Sequence, residues 1–594
     1  MSELKRKRPR GKRIFLVGIV FSLVLSVLVG RLIYLMVFNS TNYKTLALQQ
    51  QTKTIVIASK RGDILDRNGL ELTLSMNVYR VDADLIVLKK YLVDKKIPEG
   101  QASEKLSKIL NVKNSEVEKI LNTENSKGSP LQFVSLERKV KKEAVDSIKA
   151  LKYKGIIISS DVARIYPNDN FLSHVIGHAN LDGTGVSGVE LSYNNELAGI
   201  PGVKVVELDR DSNELPYTEA VTVKPIDGKD LTLTIDERIQ EAAEKVAKET
   251  LTENGAKSVS ITVMNPSNGE ILAMANSPSY NLNKPYVEGK TDKETQEIWK
   301  NGAISNVFEP GSIFKVIIAA AALQNNAVTD ADRFIGNGSI KVGNTTLYSD
   351  RKEKYGVENL SDIIKNSDNV GFVKLGQMIG KDKLYKFAKE AGFGQKTGID
   401  LPGESTGLIK NLNSITPLDL ATMSYGQGVA VTQVQYMAAF NAIANGGKWI
   451  TPHIMKEISH MVDGKKVTDK QFDNLNERTI MSKEKTAQLR TYLERVVKEG
   501  TATGTYMEGY HIAGKTGTAN EVNIIDGGYN SGKYVSSFVG MAPANNPKVS
   551  LIVTVEEPNA DKYYAAQTAV PAAKKLFSDL FPILNIMPDN AKKK

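Results

Sequence analysis

The chain contains no cysteine in 594 residues. Disulfides, thiolate nucleophiles, cysteine-ligated zinc and iron–sulfur clusters are therefore excluded. Five histidines leave little scope for a histidine-rich metal centre. There is no Gly-X-Y period, no heptad array, no internal repeat and no low-complexity segment, so collagen and long coiled coils are out. A mainly disordered chain is also out, because 41% of residues are hydrophobic and 24% charged, which is ordinary for a globular protein. Single hydrophobic cores stop growing near roughly 250–300 residues, so two or more folded units are expected. Without disulfides, packing alone must stabilise them.

The net charge is +10, but the folded body carries almost none of it. Residues 1–13 hold seven basic side chains (Lys5, Arg6, Lys7, Arg8, Arg10, Lys12, Arg13) against one acid, Glu3, and the chain ends in Lys592, Lys593 and Lys594. A nucleic-acid-binding domain should carry its basic excess on the folded body, so nucleic acid is not an expected partner. An uncharged run of 17 residues, 14–30, comes directly after the basic cluster. Arg31 interrupts it, and 32–38 resume the apolar pattern. At 1.5 Å per residue this stretch can cross a hydrocarbon core of about 30 Å, with Arg31 snorkelling to the interface beside Tyr34. Basic residues ahead of the span predict a cytoplasmic N-terminus and an exported body. A cleaved signal peptide would have a shorter apolar core ending in a small-x-small site, and no convincing site is present.

Residues 54–59 and 70–75 read as strands, with a tight turn at Asn68-Gly69. The Lys- and Glu-rich stretch 86–150 has helical spacing and reads as a solvated helical subdomain. Beyond Asp227-Gly228 the texture changes. Residues 231–235 read as a strand and 237–251 as an amphipathic helix. Two apolar strands, 258–265 and 270–276, flank a hairpin turn at Pro266-Ser267-Asn268-Gly269. Another strand pair, 536–542 and 549–556, precedes a last helix over roughly 565–584. Helix-rich sequence lies between the two strand groups. The economical fold is α+β, an antiparallel sheet built from both ends of the segment with helices packed on it.

Three elements could carry chemistry. In Glu309-Pro310-Gly311-Ser312-Ile313-Phe314-Lys315, Pro and Gly close a loop before an alanine-rich helical run, which places Ser312 at a helix start. Ser312 and Lys315 are i and i+3 and share a face, so an amine lies within reach of a hydroxyl. A desolvated, neutral lysine could take the serine proton. Ser-x-x-Lys also occurs at Ser2–Lys5 and Ser482–Lys485, but neither opens an apolar helix that would desolvate its lysine. The second element, Ser367-Asp368-Asn369, offers a hydroxyl to relay protons and an amide to bind a carbonyl; its plain alternative is a polar turn or helix cap. The third, Lys515-Thr516-Gly517-Thr518-Ala519, suits a strand edge that a substrate backbone approaches closely, with Lys515 and Thr516 holding a carboxylate. A second Lys-Thr-Gly, Lys396-Thr397-Gly398, sits among turn formers and too soon after Asn369 to join the terminal strands.

Together, the order and spacing of these elements match the known signature of serine β-lactamases and penicillin-binding proteins. The chain resembles a class B penicillin-binding protein, a monofunctional peptidoglycan D,D-transpeptidase, over nearly its whole length. Arg61-Gly62-Asp63-Ile64-Leu65-Asp66-Arg67-Asn68-Gly69, Arg164-Ile165-Tyr166-Pro167, His174-Val175-Ile176-Gly177 and Gly185-Val186-Ser187-Gly188-Val189-Glu190 resemble the family's non-catalytic motifs, and Ser424-Tyr425-Gly426-Gln427-Gly428 a stretch of its transpeptidase domain. The pattern is closest to the division and spore-septum branch, although the C-terminal repeat modules of some relatives are missing, which leaves division, sporulation and elongation open.

The resemblance implies a cytoplasmic tail (1–13), a transmembrane anchor (14–38), a strand-rich pedestal of dimerisation type (39–225) with a helical insertion (86–150), a transpeptidase domain (226–586) and a basic tail (587–594). It implies Ser312 as nucleophile, Lys315 as base, Ser367, Asn369 and Lys515 as catalytic partners, Thr516, Gly517 and Thr518 as substrate-binding residues, and the backbone N–H groups of Ser312 and Thr518 as oxyanion hole. The implied partners are peptidoglycan stem peptides, β-lactams, a membrane-embedded glycan polymerase with other wall-synthesis proteins, and the membrane. No cofactor is implied. His174 and His178 stand at i and i+4, a zinc spacing on a helix, but Gly177 and the turn formers after it argue against a helix there. Rival readings are a D,D-carboxypeptidase with the same site, a penicillin-sensing receptor, which would need several membrane spans, and a membrane-anchored scaffold.

Overall fold

The computed structural model describes residues 10–44, 52–126, 128–207, 222–473, 476–522 and 528–589. The basic residues Lys5 to Arg8 and the last three lysines lie outside these. Helix α1 (Arg10–Ile33) continues through a five-residue π-helical turn, Tyr34–Phe38, without burying a side chain. The apolar span Gly11–Phe38 is 28 residues long, about 42 Å of helix, which is ample for a bilayer.

The chain divides into two compact units. One holds Met1–Ser59 and Ile200–Ile226, the other Lys60–Gly199 and Asp227–Lys594, so the segment expected as one pedestal contributes to both. In the first unit, Thr52–Ile57 pairs antiparallel with Gly202–Glu207, which also pairs with Thr222–Val223. The expected partnership of 54–59 with 70–75 is therefore absent. The Asn68-Gly69 turn exists, but it closes a narrow bridge between Leu65 and Glu71 in the second unit. Asp66 caps that turn through the N–H groups of Asn68 and Leu70.

The second unit begins with a three-stranded antiparallel sheet in which Leu74–Ala83 is central, flanked by Val134–Val140 and Ile156–Ile165. The stretch read as helical does supply helices (Leu85–Asp94, Glu99–Leu110, Asn114–Leu121, Lys142–Ala150), but Val134–Val140 runs through it as a strand. These elements bury their own core around Val81, Leu88, Leu106, Val117 and Val145. Below it, the dispersed motifs converge on one carboxylate. Glu190 is fully buried and accepts from Arg61 Nε at 2.5 Å, Arg164 Nε at 2.7 Å and Tyr166 Oη at 3.3 Å. Arg61 also donates to the carbonyls of Gly183 and Glu190, and Arg164 to that of Gly62. A buried charge persists only when paired this fully, so these contacts tie three segments together.

The larger body is built on a five-stranded, all-antiparallel sheet. Its strands are β1 (Ser258–Met264), β2 (Ile271–Ser277), β3 (Ala513–Val522), β4 (Tyr529–Ala542) and β5 (Val549–Glu556), in the order β2-β1-β5-β4-β3. Both ends of the segment thus meet at β1–β5, as the sequence pattern required. Residues Val549 to Val555 are all buried, as expected of a strand covered on both faces. Helices α2 (Glu237–Asn254) and α8 (Ala569–Ile583) pack against the sheet and each other. Asp236 caps α2, and Gly255, at φ +53°, ends it. Between the strand groups lie α3 (Lys315–Gln324), α4 (Leu360–Asn366), α5 (Asn369–Ile379), α6 (Gln433–Ala444) and α7 (Lys483–Glu499). Helix α6 keys onto the sheet through Gln433, which bonds Thr262, Thr554 and the Ser260 carbonyl.

Helix α3 positions the chemistry. Every residue from Lys315 to Leu323 is buried, so the alanine-rich run is a core helix wrapped on all sides. Any charge at its start is taken out of water with it. The turn before it has another fixed feature: Tyr436, on α6, donates to the Ile313 carbonyl at 2.6 Å.

Candidate active site

Ser312 lies in a 3₁₀ turn, Gly311–Phe314, that runs directly into α3. Gly311 takes φ +52°, and its N–H donates to the Gly426 carbonyl at 3.1 Å. Gly426 itself has φ +86°, and a Cβ there would stand 2.0 Å from the Gly311 carbonyl oxygen. Only glycine fits both constraints, which accounts for the Tyr425-Gly426-Gln427-Gly428 stretch. Glu309 closes the arrangement, accepting from the Gly428 N–H at 2.7 Å and the Tyr529 hydroxyl at 3.1 Å. Burial pushes its carboxyl above the ordinary range.

One helical turn after Ser312, Lys315 is 1% exposed. Its ammonium nitrogen lies 2.7 Å from the Ser367 carbonyl, 2.6 Å from Asn369 Oδ1 and 3.1 Å from Ser367 Oγ. The Phe372 ring covers another side, 5.5 Å from nitrogen to centroid. Burial pushes this lysine down to about 7, and the negative charges of Asp368 and Asp350 resist the shift. A neutral amine keeps two N–H donors, enough for the two shortest acceptors, and gains a lone pair.

Ser367 and Asn369 owe their position to a helix break. Helix α4 ends at Ser367, which sits in the left-handed region at φ +59°, and α5 starts at Asn369. Asp368 is the cap between them. Its carboxylate accepts from the Val370 and Gly371 N–H groups and from the Ser349 hydroxyl. The cap reading of Ser367-Asp368-Asn369 thus falls to Asp368, while Ser367 and Asn369 turn their polar groups toward Lys315. Asn369 is further held by donating to the Tyr348 carbonyl at 3.0 Å.

Lys515 comes from β3, the edge strand. It is fully buried and donates to Ser367 Oγ at 2.9 Å and to the Thr516 carbonyl at 3.1 Å. Burial, then the neighbouring Lys315, pushes its amine well below the lysine range. Two desolvated amines thus flank one hydroxyl. Gly517 lets β3 approach the serine turn, since a Cβ there would lie 2.8 Å from the Pro310 carbonyl oxygen. Thr516 Oγ1 contacts Thr501 Oγ1 at 2.9 Å, and Thr518 Oγ1 accepts from the Ala565 N–H at 3.1 Å.

Ser312, Ser367, Asn369, Thr516, Gly517 and Thr518 line one open cleft of about 650 Å³, with the two lysines beneath its floor. The other candidates fall elsewhere. Thr397 of the second Lys-Thr-Gly is consumed by Glu404, which accepts from both its N–H and its hydroxyl. Ser482 caps α7, and Lys485 donates to Gln324 and Asn326. His174 and His178 do not share a helix, because Ser173–Ile176 stops at Gly177 with φ +69°. Their rings contact the Ile298 carbonyl and Trp299 respectively. Thr501, Glu309 and Asp368 were not singled out from the sequence. Glu309 adjoins the serine motif, but Thr501 carries no local signal at all.

A sequence profile described as the penicillin-binding protein transpeptidase domain matches residues 259–578, and one described as the penicillin-binding protein dimerisation domain matches 56–233. The chain is 33% identical to stage V sporulation protein D of Bacillus subtilis over 98% of its own length and 86% of that protein's. The chain belongs to the class B penicillin-binding proteins. It is also 30% identical to the peptidoglycan D,D-transpeptidase FtsI of Escherichia coli, covering 96% of this chain and 91% of that one. Among solved structures, a peptidoglycan synthetase from Bifidobacterium adolescentis aligns over 91% of this penicillin-binding protein and 98% of its own chain, with TM-score 0.70 and 24% identity. Penicillin-binding protein 3 of Mycobacterium tuberculosis in complex with aztreonam aligns over 90% and 98%, with TM-score 0.66 and 24% identity. Both share the fold. The enzyme class is accordingly a serine-type D,D-transpeptidase of peptidoglycan synthesis, in a chain with one apolar N-terminal helix of membrane-spanning length.

Proposed function

We propose that Ser312 is the acylated nucleophile and that this penicillin-binding protein cross-links peptidoglycan stem peptides through it. One observation carries the reading: a single hydroxyl, Ser367 Oγ, is held between two desolvated amines at the floor of the cleft that Ser312 lines. Ser312 Oγ attacks the carbonyl carbon of the penultimate D-alanine, and its proton passes to neutral Lys315. The backbone N–H groups of Ser312 and Thr518 receive the oxyanion, a contribution commonly worth about 2.7–4 kcal/mol per donor. As the tetrahedral intermediate collapses, the C–N bond breaks and D-alanine leaves with a proton relayed through Ser367. An amine of a neighbouring stem then attacks the ester and regenerates Ser312.

Asn369 and the β3 edge at Thr516, Gly517 and Thr518 align the donor peptide. A substrate carboxylate brings Lys515 the negative neighbour it lacks, which favours its protonation at that moment. β-Lactams acylate Ser312 and remain bound. The basic residues before the span support a cytoplasmic N-terminus and a cleft on the outer side. The span and the pedestal contact a membrane-embedded glycan polymerase, and the site of action is septal. The transpeptidase domain is 226–586 and the pedestal 39–225.

Incubation of the purified full chain with a donor stem peptide and an amine acceptor tests this reading. Transfer to the acceptor is expected. Hydrolysis alone, with acceptor ignored, would make the protein a carboxypeptidase, and no turnover of either kind would leave it a scaffold.

A further inference from the structure

A second buried carboxyl stands behind the catalytic turn. Glu358 ends the short strand Gly356–Glu358 and is 2% exposed. Its Oε1 accepts from Asn366 Nδ2 at 2.8 Å, while its Oε2 is fully buried and meets no donor. Facing it is Asp368, 1% exposed, whose oxygens are already taken by three donors: the Val370 and Gly371 N–H groups and the Ser349 hydroxyl. Both carboxyls crowd Gly336, which puts the two oxygens within about 6 Å of each other. A Cβ on it would lie 2.8 Å from Glu358 Oε2 and 3.3 Å from Asp368 Oδ2.

Two buried carboxylates at this range cannot both ionise cheaply. Asp368, with three donors, keeps the charge; Glu358, with one oxygen unmatched, lacks only a proton to become the missing donor. We propose that Glu358 is a positioning residue that rests protonated and donates through Oε2 to Asp368, so that the pair carries one negative charge, not two, behind the Lys315 site. The other charges around the pair are accounted for. Asp362, on α4, is paired with Arg495 at 2.9 Å and Lys365 at 4.0 Å. Asp350 faces Lys315 from the turn before Gly356, Lys515 faces it from β3, and Tyr355 lies against Asp368 and Asp350. Burial first, then the Asp368 charge, holds the Glu358 carboxyl up at about 7, so it ionises over the same range as Lys315. The consequence rests on the reading of Lys315 as base: each Glu358 that ionises adds a negative charge that favours the ammonium form and withholds the base.

The test compares the wild-type full chain with Glu358→Gln, following acylation by a fluorescent penicillin from pH 5 to 9. Glutamine keeps the shape and a neutral N–H donor but never ionises. The midpoint of the acid limb should fall by about half a pH unit, with the two proteins diverging near about pH 7–8 and coinciding below about pH 6, where Glu358 is protonated in wild type. A purely structural role would lower the plateau and leave the midpoint in place, and that result overturns the proposal. So does failure of the variant to fold, because a neutral donor of the same shape is what the site is proposed to contain. Infrared difference spectra of wild type minus variant, recorded at pH 6, give a readout independent of catalysis. A carboxylic-acid C=O band is expected, and a carboxylate band there contradicts the protonated state. If wild type shows no acid limb while the band is present, the base assignment fails and the Glu358 proton stands.

Discussion

The base assignment makes a quantitative claim about pH. An ordinary lysine with a pKa of 10.5 is neutral in only about 3 molecules in 10,000 at pH 7. Lys315, pushed down to about 7 by burial in the core helix, is neutral in about half, a gain of about a thousandfold in competent enzyme. The neutral amine is the form that accepts the Ser312 proton, so acylation rises with pH and levels off once the amine is deprotonated. Measured by stopped-flow with a fluorescent penicillin, the rate should climb tenfold per unit below about pH 6 and flatten above about pH 8. The structure also specifies what moves this limb. Asp368 is the first of the charges that favour the ammonium form, so Asp368→Asn should lower the midpoint by about one unit. The same change weakens the α5 cap, at a cost of about 0.5–2 kcal/mol in stability. A wild-type rate that keeps rising tenfold per unit to pH 10 would mean an ordinary, hydrated lysine. A rate independent of pH from 5 to 9 would mean that Lys315 is not the base. Either result refutes the reasoning.

Two further substitutions probe the scaffold. Glu190→Gln leaves Arg61 and Arg164 buried without their shared anion and should cost about 3–5 kcal/mol, read as a lower urea midpoint, while penicillin acylation of the folded fraction persists. Gly426→Ala places a Cβ 2.0 Å from the Gly311 carbonyl oxygen at φ +86°, so it should displace the serine turn and depress the acylation rate at least tenfold, with little change in the pH midpoint.

The parts of this molecule that were legible in its sequence are those with local signals. The uncharged run at 14–30, the hairpin at Asn268-Gly269 and the terminal strand pair are patterns of period, charge and turn chemistry, and they delivered the antiparallel sheet assembled from both ends. Ser312 was marked by the loop formers before it and by the apolar helix that would desolvate Lys315, and Lys515 was preferred over Lys396 because only the former could reach the terminal strands. What was not legible depends on distance. Arg61 and Glu190 are 129 residues apart, and nothing near either reveals the other. The strand Leu74–Ala83 was misplaced because the Asn68-Gly69 turn looked like a hairpin between long strands, whereas it closes a two-residue strand, Ile64–Leu65. The burial of Lys515 comes from packing against Ser367 and Thr516, which no spacing encodes.

The central claim is that Ser312 forms the covalent bond. Labelling the full chain with a fluorescent penicillin, and then separating it by denaturing electrophoresis, tests it most directly. Wild-type protein should carry the label through denaturation, and Ser312→Ala, with an unchanged melting temperature, should carry none. Undiminished labelling of that variant would contradict the account.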